Sequence, residues 1–282
     1  MWMLLVLLYG VLKGVREVVK KKALTKNTVM EVLFFYTLLA FLFVVPDAKN
    51  AMGMEPKFYF YVALKSFVIF LAWIFSFKAI DKMPISIYGI LDLSRVLFAM
   101  LLGVFVLKEV LGLYQITGLI LVSAGLILLK FRPCSTKNGQ KENVQMIYVL
   151  SAFASCILNA VSGLMDKLLM RDISSSQLQF WYMLFLVSYY GIYLVVTRTT
   201  IRKSVLKNGW IWLLSLLFVI ADRALFIANG MEGSRVTVMT LIKQSGCVVT
   251  ILAGKFIFKE KNIGYKLFCA AVIVAGIVIS VL

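Results

Sequence analysis

A chain of 282 residues that is 62% hydrophobic and only 15% charged has more apolar surface than a water-soluble core can use, since soluble domains average about a quarter charged residues. Its formal charge of +17 does not indicate nucleic acid, because the cations lie between apolar runs or singly inside them and form no basic face with interleaved aromatics. Cys134, Cys156, Cys247 and Cys269 are widely spaced without a CxxC pair and there is no histidine, which argues against a zinc site or a disulfide framework.

Apolar runs of about 20 residues, the length a helix needs to cross roughly 30 Å of hydrocarbon, recur along the whole chain. In chain order the spans are Met1 to Val19, Val29 to Val45, Phe58 to Ile80, Ile85 to Leu107, Leu113 to Phe131, Met146 to Met170, Leu178 to Val196, Trp210 to Gly230, Val236 to Phe258 and Tyr265 to Leu282. The first lacks a basic start and a small-residue cleavage site and carries Lys13, Arg16 and Glu17, so it is expected to stay in the mature protein rather than act as a signal peptide. Pro46, Pro84 and Pro133 fall at span ends, where a missing N–H costs little. The longest polar stretch, Arg132 to Asn143, divides the chain nearly in half.

The halves align on each other. VFVLKEVLGLYQITGLILVSAGLILL from Val104 matches KFIFKEKNIGYKLFCAAVIVAGIVIS from Lys255 at a constant offset, pairing Lys108 with Lys259, Glu109 with Glu260, Tyr114 with Tyr265 and Gly125 with Gly276. The same register pairs Gly103 with Gly254 and Ser94 with Ser245, and a slightly shorter offset pairs Gly14 with Gly163 and Glu17 with Asp166. Each half has five spans, an odd number, so the second enters the membrane upside down. The expected fold is an all-α polytopic membrane protein of ten transmembrane helices in two inverted five-helix repeats, 1–131 and 146–282, joined by a polar loop over 132–145. Inverted repeats are a transporter architecture with the substrate site near the midplane.

Seventeen Lys and Arg lie in or beside the odd-numbered loops (Lys20, Lys21, Lys22, Lys26, Lys78, Lys82, Lys130, Arg132, Lys137, Lys141, Arg198, Arg202, Lys203, Lys207, Lys259, Lys261, Lys266). Six lie in the even-numbered loops: Lys49, Lys57, Lys108, Lys167, Arg171 and Arg235. Basic loops stay cytoplasmic, which places the odd loops inside and both termini outside.

Cations inside spans cost at least about 3 kcal/mol at the bilayer centre and are functional candidates. At about 1.5 Å per residue Arg95 lies near the midplane, opposite its repeat partner Gly246, which leaves space. Lys65, Asp222, Arg223 and Lys243 lie at one depth towards the even-loop face, and Lys13 with Asp92 at a comparable depth from the odd-loop face. Asp92 and Arg95 can neutralise each other, and Asp222 and Lys243 can form a buried pair. Even so, two carboxylates cannot match Lys13, Lys65, Arg95, Arg223 and Lys243, so an anionic ligand group would complete the balance. Trp73 and Tyr88 are further cavity candidates. Glu109 and Glu260 read as turn residues at span ends, and Gly10/Gly14 and Ala271/Ala275 as close-approach pairs.

Five-plus-five spans, Glu109 and Glu260 closing the fourth and ninth, and Gly118, Gly125 and Gly276 in the helices that follow together resemble the EamA-like members of the drug/metabolite transporter superfamily. The resemblance covers essentially the whole chain. It implies a secondary transporter of the plasma (bacterial inner) membrane working by alternating access, with a cavity lined by the first, third and fourth spans and their equivalents, and cytoplasmic termini, opposite to the cation count. With no histidine, no nucleophile–base constellation and no metal-ligand cluster, neither enzyme activity nor a cofactor is expected, and without a P-loop the energy would come from the solute gradient, a proton or an exchanged solute. Partners are a small polar, anionic or zwitterionic metabolite, membrane lipids and a second copy of the chain in a homodimer, with no nucleic acid. The alternatives are a flippase for a lipid-linked substrate and a cationic-drug exporter.

Overall fold

The computed structural model describes residues 2–107, 112–131, 145–170, 172–199, 201–230 and 242–281, and among them there is no strand. The first half contains α1 (Trp2–Leu24), α2 (Val29–Val44), a 3-10 turn (Val45–Asp47), α3 (Ala48–Ala51), α4 (Pro56–Lys82), α5 (Ile85–Asp92), α6 (Ser94–Leu107) and α7 (Leu113–Phe131). The second contains α8 (Met146–Leu169), α9 (Ser175–Val196), a 3-10 turn (Lys203–Lys207), α10 (Gly209–Gly230), α11 (Ser245–Phe256) and α12 (Ile263–Val281). Val29–Ala51, Pro56–Lys82, Met146–Asp166 and Ser175–Val196 are long and apolar enough to cross a bilayer, and Leu113–Leu128, Ser245–Phe256 and Ile263–Ile279 are shorter apolar helices. Large apolar side chains such as Leu4, Phe60, Ile120 and Val195 stand more than half exposed around the outside, as they do where lipid is the solvent.

Local chemistry fixes the starts of the helices. Thr28 caps α2 and Ser174 caps α9, each in a reciprocal box with a residue three further on, Glu31 and Gln177. Both box residues also reach into the other half: Glu31 Oε1 accepts from the Arg202 backbone N–H at 3.1 Å, and Gln177 Nε2 donates to the Met52 carbonyl at 3.3 Å. Pro56 opens α4 at a position whose N–H has no intrahelical partner, and Pro84 caps α5.

The two halves do not form separate lobes. The most extensive packing pairs α7 with α12, α1 with α10, and α4 with α8, followed by α1 with α11, α5 with α11, α6 with α8, α4 with α9, and α2 with both α9 and α10. Every one of these contacts joins the first half to the second. An aromatic group, the buried Tyr36, Phe77 and Phe218 with the partly buried Trp73, sits where α2, α4 and α10 meet.

Glycine sets the closest approaches. A Cβ on Gly14 would lie 2.6 Å from the Gly246 carbonyl oxygen, and one on Gly276 2.8 Å from that of Gly118. Gly246 therefore does not leave space opposite Arg95, as its repeat register suggested; it lets α1 press its Gly10–Gly14 face onto the start of α11. Ala271 and Ala275 do not form such a contact: both are exposed, and Gly125 and Gly276 make the α7–α12 seam instead.

The fourth expected span, Ile85 to Leu107, is not one helix. It turns at Leu93, whose N–H bonds to the Ile90 carbonyl at 3.1 Å, and restarts at Ser94. In the second half the chain turns at Gln244 and restarts at Ser245, with the Cys247 N–H on the Gln244 carbonyl at 2.9 Å. Residues 236–241 of the expected ninth span, and Glu109 with the 132–144 stretch, lie outside the described residues.

Candidate functional site

The turns at Leu93 and Gln244 line the same small cavity, together with Lys13, Gly14 and Glu17 of α1 and Tyr88, Gly89 and Asp92 of α5. Its volume is about 10 Å³, room for one water. A Cβ on Gly89 would overlap the Thr250 hydroxyl, so α5 and α11 touch backbone to side chain here. Each turn is a single residue in the αR region bridged by an i→i−3 hydrogen bond, so the α-helical pattern of N–H groups is interrupted there. The Ser245 hydroxyl is buried without a hydrogen-bond partner, and the Ser94 hydroxyl at the other restart is buried beside the Cys156 thiol.

Charge gathers at this break. Asp92 ends α5 and is bridged on both oxygens, by Lys13 Nζ at 2.7 Å and by Arg95 Nη2 at 2.7 Å. One carboxylate between two cations leaves a positive charge over. Lys243, at the position equivalent to Asp92, has no carboxylate within 4.0 Å among the described residues and faces the Tyr9 ring at 6.0 Å from its centroid. Arg95 Nε is buried and unpaired. Glu17, the other carboxylate on this cavity, is neutralised by Lys20, which leaves Lys13, Arg95 and Lys243 around Asp92 in a region where unbalanced charge is expensive.

Towards the even-loop face a second cluster joins α1, α4, α8, α9 and α10. Lys65 Nζ lies 2.7 Å from Asp166 and 4.0 Å from the Tyr182 ring centroid. Arg16 Nη1 lies 3.7 Å from Asp222, which also accepts from the Tyr182 hydroxyl at 3.4 Å. Arg223 bonds Asp47 at 2.8 Å, closer to the surface. Towards the odd-loop face Glu17 and Lys20 form a buried pair at 2.7 Å, and Glu260 ties the α11–α12 turn to the start of α5. It accepts from the Ile85 N–H at 2.8 Å, from the Ser86 hydroxyl and from Lys266 Nζ at 2.8 Å.

Of the expected site residues, Lys13, Asp92, Arg95 and Tyr88 come together at the break, with Lys243 beside Gln244 in the chain. Lys65 and Asp222 belong to the even-face cluster, and Arg223 to its outer edge. Trp73 lies in the aromatic core against Tyr36 and Phe218. The Asp222–Lys243 pair does not form, because α1 lies along α10 and brings Arg16 to Asp222 instead. Glu260 is more than a turn residue, since three of its contacts reach the start of α5 or Lys266. Reasoning from sequence missed Arg16, Glu17 and Asp166 as cluster members. The signal was present for the last two, which pair in the repeat register.

Residues 1–131 match the model of the EamA-like transporter family. A solved crystal structure that is 14% identical superposes with a TM-score of 0.60 over 97% of this chain and 98% of its own, a likeness of fold. No curated protein matches the sequence.

Proposed function

We propose that this chain, an EamA-like membrane transporter by its first 131 residues, is a secondary transporter that carries a small anionic or zwitterionic metabolite by alternating access. The observation that carries this reading is the cation surplus at the two helix restarts: Lys13, Arg95 and Lys243 around Asp92, once Glu17 is matched by Lys20, with the turns before α6 and α11 lining the same cavity. Half-helix N-termini are suited to the acidic group of a substrate near the bilayer midplane. A carboxylate or phosphate there would complete the charge balance and take the unpaired Arg95 Nε and Ser245 hydroxyl.

Two features support an inverted repeat of ten spans. The turns at Leu93 and Gln244 fall at the offset that aligns the halves, and the helix pairs exchange under it: α1 with α10 corresponds to α8 with α4, and α1 with α11 to α8 with α6. In the conformation described the cavity is closed, with the Glu260 clamp on the odd-loop side, the Lys65–Asp166 pair on the other and the Arg16–Asp222 pair between them. Alternating access would open one set while the other holds.

The test is thermal stabilisation of the purified protein by a panel of anionic, zwitterionic and cationic metabolites, repeated with Arg95→Ala and Lys243→Ala. Anionic or zwitterionic compounds are expected to stabilise the wild type and neither variant. Stabilisation by cations alone, unchanged in both variants, would overturn the site and favour a cationic-drug exporter.

A further inference from the structure

A second cavity lies away from the helix breaks. It lies on the odd-loop face where the end of α1 meets the 3-10 turn and the start of α10, has a volume of about 550 Å³, and is lined by Lys26, Asn27, Lys207, Asn208, Trp210 and Leu213 among others. Asn27 and Asn208 both donate to the Ala23 carbonyl, at 3.1 and 3.3 Å, which joins the two walls. Neither Lys26 nor Lys207 has an acidic partner within 4.0 Å among the described residues. Glu31, the nearest acid in sequence to Lys26, is taken up by Thr28 and Arg202.

Below this polar mouth the outer face of α10 is apolar and uncovered. Trp210, Leu213, Leu216 and Ile220 are 45%, 37%, 45% and 45% exposed and recur at helical spacing. From Trp210 to Ile220 the stripe runs about 15 Å at 1.5 Å per residue, half the thickness of a bilayer core, up to the part-exposed Arg223, with Ile227 exposed beyond it. Two cations above one leaflet's depth of apolar surface, with a tryptophan at the junction, match an amphiphile with an anionic head.

We propose that this cavity binds an anionic phospholipid, with its phosphate between Lys26 and Lys207 and an acyl chain along Trp210, Leu213, Leu216 and Ile220. The ligand is a lipid and not a soluble phosphate, because the stripe gives the acyl chain a surface that a headgroup alone leaves bare. The site is separate from the central cavity, so it would persist if the transport reading failed.

The test uses the full chain in neutral detergent, titrated with phosphatidylglycerol, phosphatidylcholine or soluble glycerol phosphate, and read by the shift in melting temperature and by native mass spectrometry of bound lipid. Phosphatidylglycerol is expected to bind and stabilise, with phosphatidylcholine and glycerol phosphate weak. Lys26→Ala/Lys207→Ala should lower the apparent affinity for phosphatidylglycerol by about thirtyfold, at roughly the effect expected for two lysines near an anionic headgroup. Lys78→Ala/Lys255→Ala, which removes two exposed cations elsewhere, should leave it within about twofold, the scatter expected of general surface charge. Both altered lysines are exposed, so the variant should fold as the wild type does in phosphatidylcholine. Equal losses in the two double variants, or equal binding of glycerol phosphate, would overturn the proposal.

Discussion

The Lys65–Asp166 pair gives an asymmetric stability prediction. The atoms lie 2.7 Å apart, but the Lys65 side chain is only 5% exposed and that of Asp166 36%. Asp166→Asn leaves a buried ammonium without its counter-ion, a loss that in buried pairs costs about 3 to 5 kcal/mol. The Tyr182 ring 4.0 Å away and the remaining amide oxygen return part of this, so a net loss of about 2 to 3 kcal/mol is expected. Lys65→Met keeps most of the buried volume but strands the buried Asp166 Oδ1, while the rest of that carboxylate is 36% exposed and stays hydrated, so it should cost less than Asp166→Asn, about 1 to 2 kcal/mol. The double variant should resemble Lys65→Met alone. Equilibrium unfolding in mixed micelles, followed by tryptophan fluorescence, measures all three. Equal costs for the two single variants, or a silent Asp166→Asn, would refute the assignment of the burden to the buried lysine.

Gly14→Val should destabilise by about 1 to 3 kcal/mol or prevent accumulation, since its side chain would meet the Gly246 backbone, whereas Gly163→Ala at the repeat-equivalent position meets nothing within 4 Å and should be neutral in the same unfolding assay. Thr28→Ala removes a cap that also orders Glu31, and should cost about 1 kcal/mol in that assay. Glu260→Gln removes the charge that holds Lys266 and weakens the clamp on α5; with Cys134, Cys156 and Cys269 replaced by Ala, labelling of Cys247 by a polar thiol reagent should then speed up several-fold, and an unchanged rate would remove Glu260 as a clamp.

Much of the scaffold was legible in the sequence. Helix limits such as Ile85, Leu113 and Met146 were visible because apolar runs end in Pro, Gly or charge. The break at Leu93 was not, because neither Leu93 nor Gln244 is a residue that interrupts helices. Backbone contacts from elsewhere in the fold, Gly89 against Thr250 and Gly14 against Gly246, accompany these turns, and no local pattern records them. Depth along a span was readable at 1.5 Å per residue, but azimuth was not. Asp222 and Lys243 lay at matching depth and still do not meet, since the face of α10 that carries Asp222 is turned to α1.

The features that recur between the halves are mainly backbone devices: the capping boxes at Thr28 and Ser174, the turns at Leu93 and Gln244, the serines that restart α6 and α11, and the glycines of the α7–α12 seam. Most charges do not recur. Asp92 corresponds to Lys243, Arg95 to Gly246, and Lys13 and Arg16 have uncharged partners in the second half. Glu17 and Asp166 do correspond, yet Glu17 pairs with Lys20 on its own helix and Asp166 with Lys65 of the other half. Shared turns with unlike charges are the pattern the proposed transport cycle asks for, in which the halves would exchange roles around one ligand with a single charged end. Comparing the halves by sequence therefore recovers the turns and passes over the charged cluster beside them, whose residues are the positions where the repeat fails.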